Sequence, residues 1–336
     1  MNAETEVKRF RDGIDRLRKE IAKVIVGQDE VIRNISICLL AGGHALLEGV
    51  PGIGKTLMVR TLSRCLGVRF SRIQFTPDLM PADIIGTNIV VEDPTGGRTF
   101  KFQPGPVFGN IVLADEVNRA TPKTQSALLE AMQEHAVTVA GVRYPLEEPF
   151  FVLATQNPIE MEGTYPLPEA QLDRFLFKVD VGTPSMADLV RVVETTTGGV
   201  EGQASTVLSA EEILAMRRLS REVPIASHIV HYAAKITLLT HPSNADSPDA
   251  VRRYVRYGSS PRGAQALVLA GKILALLKGR YNVSFEDIRE VAAPALRHRL
   301  VLNFEADAEG IKSDAILKKV IAATPELPAG VEKLIK

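Results

Sequence analysis

A glycine, four residues and then Gly-Lys-Thr make up the segment Gly49-Val50-Pro51-Gly52-Ile53-Gly54-Lys55-Thr56. Gly49, Gly52 and Gly54 let successive backbone N–H groups turn inward, which builds a positive hollow for phosphate oxygens at the start of a helix. Lys55 adds a mobile full charge for β- and γ-phosphates, and the Thr56 hydroxyl stands where a Mg2+ bridging them would be held. Val50, Pro51, Ile53 and Leu57 complete the stretch assigned to nucleotide. A second reactive pair, Asp115-Glu116, closes the apolar run Ile111-Val112-Leu113-Ala114. Asp115 is placed to hold Mg2+, directly or through water, and Glu116 to orient and deprotonate an attacking water. Gln156-Asn157-Pro158 ends another apolar run. A polar side chain there could meet the γ-phosphate or the water, and Asn157 before a proline is equally an ordinary turn residue.

These groups need elements that hold them. Ala45-Leu46-Leu47-Glu48 reads as a buried strand and residues 57–66 as a helix, so the loop has the strand and helix that its chemistry requires. Upstream, Phe10, Ile14, Leu17, Ile21 and Ile25 recur at helical spacing, and Gly27 is the expected stop of that helix. A second helix covers 29–41, and 68–75 alternates as a strand. Two β-rich runs, 88–92 and 98–102, flank Asp93-Pro94-Thr95-Gly96-Gly97 and predict a hairpin inside a strand-to-helix connection. After a helix over 124–134, residues 136–146 predict a second hairpin, and 150–155 another buried strand. The first hairpin is either a surface ornament or a device that touches a substrate or a neighbouring subunit. Beyond Pro184 the texture turns helical, with capping boxes at Ser209/Glu212 and Ser284/Asp287 and helices over 226–240 and 261–278. Residues 195–203, rich in Thr and Gly, read as a loop. The fold class is α/β with a helical C-terminal part, divided into residues 1–184 and 185–336.

With Lys+Arg and Asp+Glu both at 40 in 336 residues, the chain has no charge reason to seek a polyanion. Its first residues lack the apolar segment of a signal peptide, and Gly42-Gly43-His44 and Lys272 cut the long apolar stretches short of a membrane span. Cys38 and Cys65 lie in apolar helical patterns without metal-ligand spacing, which fits a soluble protein of a reducing compartment such as the cytoplasm. His228 and His231 share a helix face without a third ligand and are read as surface or packing residues.

Taken together, Gly49 to Thr56, Ile111 to Glu116, Asn157, Asp173-Arg174-Phe175 and Ser260-Pro261-Arg262 resemble an AAA+ ATPase. The wording of Phe100-Lys101-Phe102-Gln103-Pro104-Gly105-Pro106, Asp115-Glu116-Val117-Asn118-Arg119-Ala120, Thr155-Gln156-Asn157-Pro158 and Leu167-Pro168-Glu169-Ala170-Gln171-Leu172-Asp173-Arg174-Phe175 is similar to its MoxR branch. The resemblance implies an AAA+ P-loop NTPase core, a parallel sheet sandwiched by helices with two inserted β-hairpins, plus a C-terminal helical lid. It also implies ATP and Mg2+ as cofactors, and Val26, Gly27 and Gln28 beside the adenine. Asn157 becomes the sensor residue, Arg174 an arginine finger reaching a neighbour's γ-phosphate, and Arg262 a second sensor, acting in its own subunit or the next. Relatives of this kind form hexameric rings, face their inserts toward a central pore and work with partners carrying a von Willebrand factor A domain. The expected function is that of an ATP-driven, chaperone-like remodeller with no nucleic-acid or membrane partner. The alternatives are a DNA translocase or helicase motor, or a nucleotide-gated scaffold with little turnover.

Overall fold

The computed structural model of the chain describes residues 3–50, 52–92, 97–157, 163–198 and 202–326. Pro51, Pro158 and most of the first hairpin's expected turn, 93–96, lie outside the described residues. In order, the chain forms α1 (Ala3–Ile21), α2 (Asp29–Ala41), β1 (Ala45–Glu48), α3 (Lys55–Leu66), β2 (Phe70–Gln74) and α4 (Pro81–Ile85). The hairpin β3 (Gly86–Glu92) and β4 (Arg98–Pro104) follows, then β5 (Ile111–Asp115) and α5 (Pro122–Glu134). A second hairpin, β6 (Ala136–Val139) and β7 (Val142–Pro145), precedes β8 (Phe151–Gln156), α6 (Glu169–Leu172) and β9 (Phe177–Asp180). The remainder is helical: α7 (Met186–Thr197), α8 (Ala210–Glu222), α9 (Ser227–Leu238), α10 (Asp249–Tyr254), α11 (Pro261–Leu277), α12 (Phe285–Leu296), α13 (Phe304–Ala308) and α14 (Ser313–Ala323). A short antiparallel ribbon, β10 (Val255–Tyr257) with β11 (Val301–Leu302), is added to these helices.

β1, β2, β5, β8 and β9 make one parallel sheet in the order β2-β5-β8-β1-β9. Ile111 to Ala114 and Phe151 to Ala154 are completely buried, as strands covered on both faces must be. Side chains alternate between two cores. Leu47, Leu113 and Leu153 join the cluster of Phe10, Ile35 and Leu62, while Leu46, Val112 and Val152 join that of Phe75, Leu128 and Phe150. The first cluster continues into Ile236, Ile273 and Leu317, so the C-terminal helices share a core with one face of the sheet. On the opposite face the two hairpins lock together, because the Phe102 ring stacks on Tyr144 at 4.0 Å between centroids. Phe100, one pleat away and 78% exposed, stays uncovered beside its cross-strand partner Val90.

Two expectations are corrected. Helix α1 ends at Ile21 rather than at Gly27, because its last bonds tighten to three-residue spacing (Lys23 N–H to the Glu20 carbonyl, Val24 N–H to that of Ile21) as Ile25 turns into the core. Gly27 and Gln28, both left-handed at φ 68° and 62°, instead set the chain into α2. The stretch read as a loop from 195 is helical through Thr197. The hydroxyls of Thr195, Thr196 and Thr197 donate to the carbonyls of Arg191, Val192 and Val193 one turn back, at 2.8, 2.7 and 2.6 Å. Both expected capping boxes form: Ser209 Oγ accepts from Glu212 N and Ser284 Oγ from Asp287 N, and each acid accepts from its serine's N–H.

His44 anchors the start of β1. Its Nδ1 accepts from Val152 N–H and its Nε2 donates to the Met132 carbonyl, both at 3.0 Å, which requires the neutral ring. Burial lowers its pKa from 6.5 to about 4; the charges of His135 and Arg217 push the same way, and the Met132 carbonyl and Glu148 oppose them. Between those pH values the unfolded chain binds the extra proton and the folded chain does not, so stability falls as pH drops through that window and is intact above it. The expected loss from His44 is about 3 kcal/mol, measured by urea unfolding at pH 7 and pH 4. A His44→Gln variant should show a shallower dependence on pH, and an unchanged slope would remove His44 as the cause.

Candidate active site

Strand register delivers the reactive groups to one edge. Glu48 pairs with Gln156, Ala114 with Ala154 and Gln74 with Asp115, so the carboxyl ends of β1, β8, β5 and β2 finish side by side. The phosphate loop, the buried Asn157, Asp115-Glu116 and Gln74 therefore share the edge at which parallel sheets bind ligands. Gly52 and Gly54 are left-handed at φ 84° and 82°, and no atom lies within 4 Å of where a Cβ would stand, leaving an open cradle at the N-terminus of α3. Gly49 serves another purpose: a Cβ there would meet the Val181 carbonyl at 2.7 Å, so glycine lets the loop lie against 181–182. Gln28 Nε2 donates to the Gly182 carbonyl at 3.4 Å, and a Cβ on Gly27 would strike the Asp188 carboxylate at 2.9 Å. Gln28 and Gly27 thus meet residues 182 and 188, next to the Val181 against which Gly49 packs, and Val26 precedes them in the chain. Lys55 Nζ donates to the Gly49 carbonyl at 2.6 Å; partial burial lowers its pKa against the pull of Asp115, Glu116 and Glu48. Thr56 follows it as the second residue of α3, Val50 and Ile53 are half-buried, and Leu57 is exposed.

Both oxygens of Asp115 are engaged. Thr155 Oγ1 donates to Oδ1 at 2.7 Å, and Arg72 donates to Oδ2 through Nε at 3.1 Å and Nη2 at 2.7 Å. The same threonine oxygen accepts from Glu116 N–H at 2.8 Å, so one hydroxyl ties the two acids together. Glu116 is left-handed at φ 58°, a costly conformation for a residue with a Cβ and one concentrated at working sites. Its Oε2 accepts from Gln74 Nε2 at 3.0 Å and pairs with Arg119 at 3.1 Å. Buried Gln125 pins the turn that follows, donating to the carbonyls of Val117, Ala120 and Tyr165 at 3.2, 3.1 and 2.9 Å. The sequence assigned no role to Arg72, Gln74, Thr155, Arg119 or Gln125, although Thr155 and Arg119 lie in stretches that carry the family resemblance. Gln74 and Thr155 carried a latent signal, a polar residue at or near the carboxyl end of a strand.

The donor set suits Mg2+. Among the described residues no cluster of three or more His, Cys, Asp or Glu could hold a metal. A Mg2+ held by the Thr56 hydroxyl and the Asp115 carboxylate would keep its other positions for phosphates and water, as Mg2+ favours.

Arg174 and Arg262 come together elsewhere. They line one groove with Gln133, Asp173, Gln265 and Arg299, and among the described residues neither the phosphate loop nor the two acids line it. Arg174 Nη1 donates to the Leu129 carbonyl at 2.8 Å, and Arg262 lies 3.8 Å from Asp173. Asp173 also accepts from Ser260 Oγ at 2.8 Å and from Arg299 Nε at 2.9 Å. Arg299, buried and overlooked in the sequence, donates to the carbonyls of Asp173, Phe175 and Leu176 at 3.1, 2.8 and 3.1 Å, clamping the turn that carries Arg174 to the end of α12. Arg299→Met should cost about 3–5 kcal/mol in chemical denaturation, because it takes from Asp173 its closest cation and leaves the carbonyls of Asp173, Phe175 and Leu176 without their donor. Arg262→Met, losing a long and half-exposed pair, should cost less than about 1 kcal/mol. Equal losses would contradict this division of labour.

Residues 44–177 match the ATPase family associated with various cellular activities (AAA), and residues 248–320 match the AAA lid domain. The chain is 43% identical to the chaperone MoxR1 of Mycobacterium tuberculosis over 94% of its own length and 83% of that protein. It is 34% identical to the MoxR protein of Methylorubrum extorquens, covering 87% and 89% of the two chains. Its structure superposes on the crystal structure of a candidate ATPase from Cytophaga hutchinsonii with a TM-score of 0.89 at 41% identity, over 96% and 97% of the two chains. Likeness of this degree along nearly the whole chain, joined to a phosphate loop beside two strand-end carboxylates, makes the protein a member of the MoxR family of AAA+ ATPases.

Proposed function

We propose that the chain works as a homo-oligomeric, hexameric ring in which each ATP site is completed by Arg174 and Arg262 of the adjacent subunit, and that the ring remodels, assembles or activates a protein partner in the cytoplasm. The observation that carries this reading is the separation just described: the two arginines share a groove that contains none of the phosphate loop, Asp115 or Glu116. In this reading Lys55 and the loop N–H groups bind the β- and γ-phosphates, Val26 to Gln28 border the adenine, and Thr56 with Asp115 hold the metal. Bound Mg2+ supplies charge neutralisation on the phosphates. Glu116 orients the attacking water and takes its proton, while Asn157, between the loop and the acids, positions the water or the γ-phosphate. A guanidinium added at the equatorial oxygens can be worth roughly 10³–10⁵ in rate, so a site without its neighbour would turn over slowly. Assembly and hydrolysis are then coupled, and hydrolysis can move one subunit against the next.

The remodelling role draws support from the relative named a chaperone, and from the exposed Phe100 and Val90 on a hairpin braced by its neighbour. The expected client is a separate protein carrying a von Willebrand factor A domain. Lys55→Ala should lose nucleotide affinity, whereas Glu116→Gln should keep affinity and lose turnover. Arg174→Ala should bind ATP normally and fail to hydrolyse it. Mixing Arg174→Ala with Lys55→Ala should restore part of the activity, because one supplies an intact loop and the other an intact finger. Mixed assemblies that form without rescue would count against a finger supplied by the neighbour.

A further inference from the structure

Arg72 has no part in the reading above, yet it donates two hydrogen bonds to the carboxylate assigned to the metal. It sits on β2, opposite Leu113 of β5, and reaches forward along the strand to Asp115. An ionised carboxylate has two oxygens with about four lone-pair positions. Thr155 uses Oδ1, and the Nε and Nη2 of Arg72 converge on Oδ2. A divalent cation at the same carboxylate would face a guanidinium at hydrogen-bond range, and like charges that close repel strongly. We propose that Arg72 competes with the divalent cation for Asp115, so that loading the metal requires Arg72 to release the carboxylate.

Two consequences follow from the geometry. With Arg72 in place the Asp115 charge is neutralised, which lowers the repulsion a nucleotide would meet before its metal is bound. Arg72 Nη2 also donates to Gln74 Oε1 at 2.6 Å, and Gln74 Nε2 donates to Glu116 Oε2 at 3.0 Å. Release of Asp115 therefore loosens the amide that holds Glu116, and the metal's arrival is felt at the general base. Arg72 is a positioning residue in this scheme: it acts on the ligand and the base, and touches neither nucleotide nor water.

The inference rests on Asp115 as a magnesium ligand, and the test separates the two claims. Affinity for a fluorescent, non-hydrolysable ATP analogue is measured in EDTA and in saturating Mg2+ for the wild type, Arg72→Lys and Arg72→Met. The side chain is 46% exposed, which favours folding of the variants, and the lysine variant keeps the charge while losing the two-nitrogen contact. The expected result is a Mg2+ enhancement of affinity about 3–10-fold larger in Arg72→Met than in the wild type, driven mainly by weaker binding in EDTA, with Arg72→Lys between them. In thermal unfolding, Arg72→Met should melt below the wild type without nucleotide and level with it when saturated with Mg2+ and the analogue. An unchanged enhancement would overturn the proposal, and an equal drop in both media would make Arg72 a phosphate contact instead. A wild type indifferent to Mg2+ would overturn the assignment of Asp115 and the proposal with it.

Discussion

The hydrogen-bonded register of β1, β8 and β5 is the constraint on which the rest depends. Because strand side chains alternate, a slip of one residue in β5 would turn Asp115 to the other face and send Leu113 across to the wrong core. The buried alternation of Val112 and Leu113, each packed into a different cluster, makes such a slip costly. With the register held, β8 stands between the phosphate loop's strand and the acids' strand. Thr155 can then bridge Asp115 and the Glu116 amide, and Asn157 falls between the two halves of the site. Glu116, one of four described non-glycine residues with positive φ, is held in its left-handed conformation by Thr155 on one side and by the Gln125 clamp on the other.

Charge is divided across the molecule into two clusters. Lys55, Asp115 and Glu116 form one cluster with Arg72 and Arg119 tied into it. Arg174, Arg262 and Arg299 gather around Asp173 in another. Asp173 binds the cap of α11 through Ser260 and the end of α12 through Arg299, so the helical C-terminal part grips the core at the turn that presents Arg174.

Legibility in the sequence followed the range of the interactions. The phosphate loop and the strand-end acids were readable because their chemistry demands particular residue types within a few positions of one another. The same holds for the capping boxes, whose bonds span three residues. Arg72, Gln74 and Thr155 were not readable, since their roles arise only when β2 and β8 flank β5, and strand order is a tertiary outcome. Arg299 sits in an Arg-His-Arg run that looks like an exposed basic patch, and its burial comes from the carbonyls of a turn far away in sequence. Helix α7 escaped notice because no residue of it is buried and its threonine-rich end resembles a loop until the hydroxyls are seen bonding back along the helix.

In the function proposed above, one chain holds only part of its own ATPase site. The most direct measurement is the ATPase rate per subunit as a function of protein concentration, with light scattering to follow assembly and the Glu116→Gln protein as the blank. A specific rate that climbs as rings form is the predicted result. Full-rate hydrolysis by dispersed monomers would contradict it, and would require the phosphate loop, Asp115 and Glu116 to work without a neighbour's arginine.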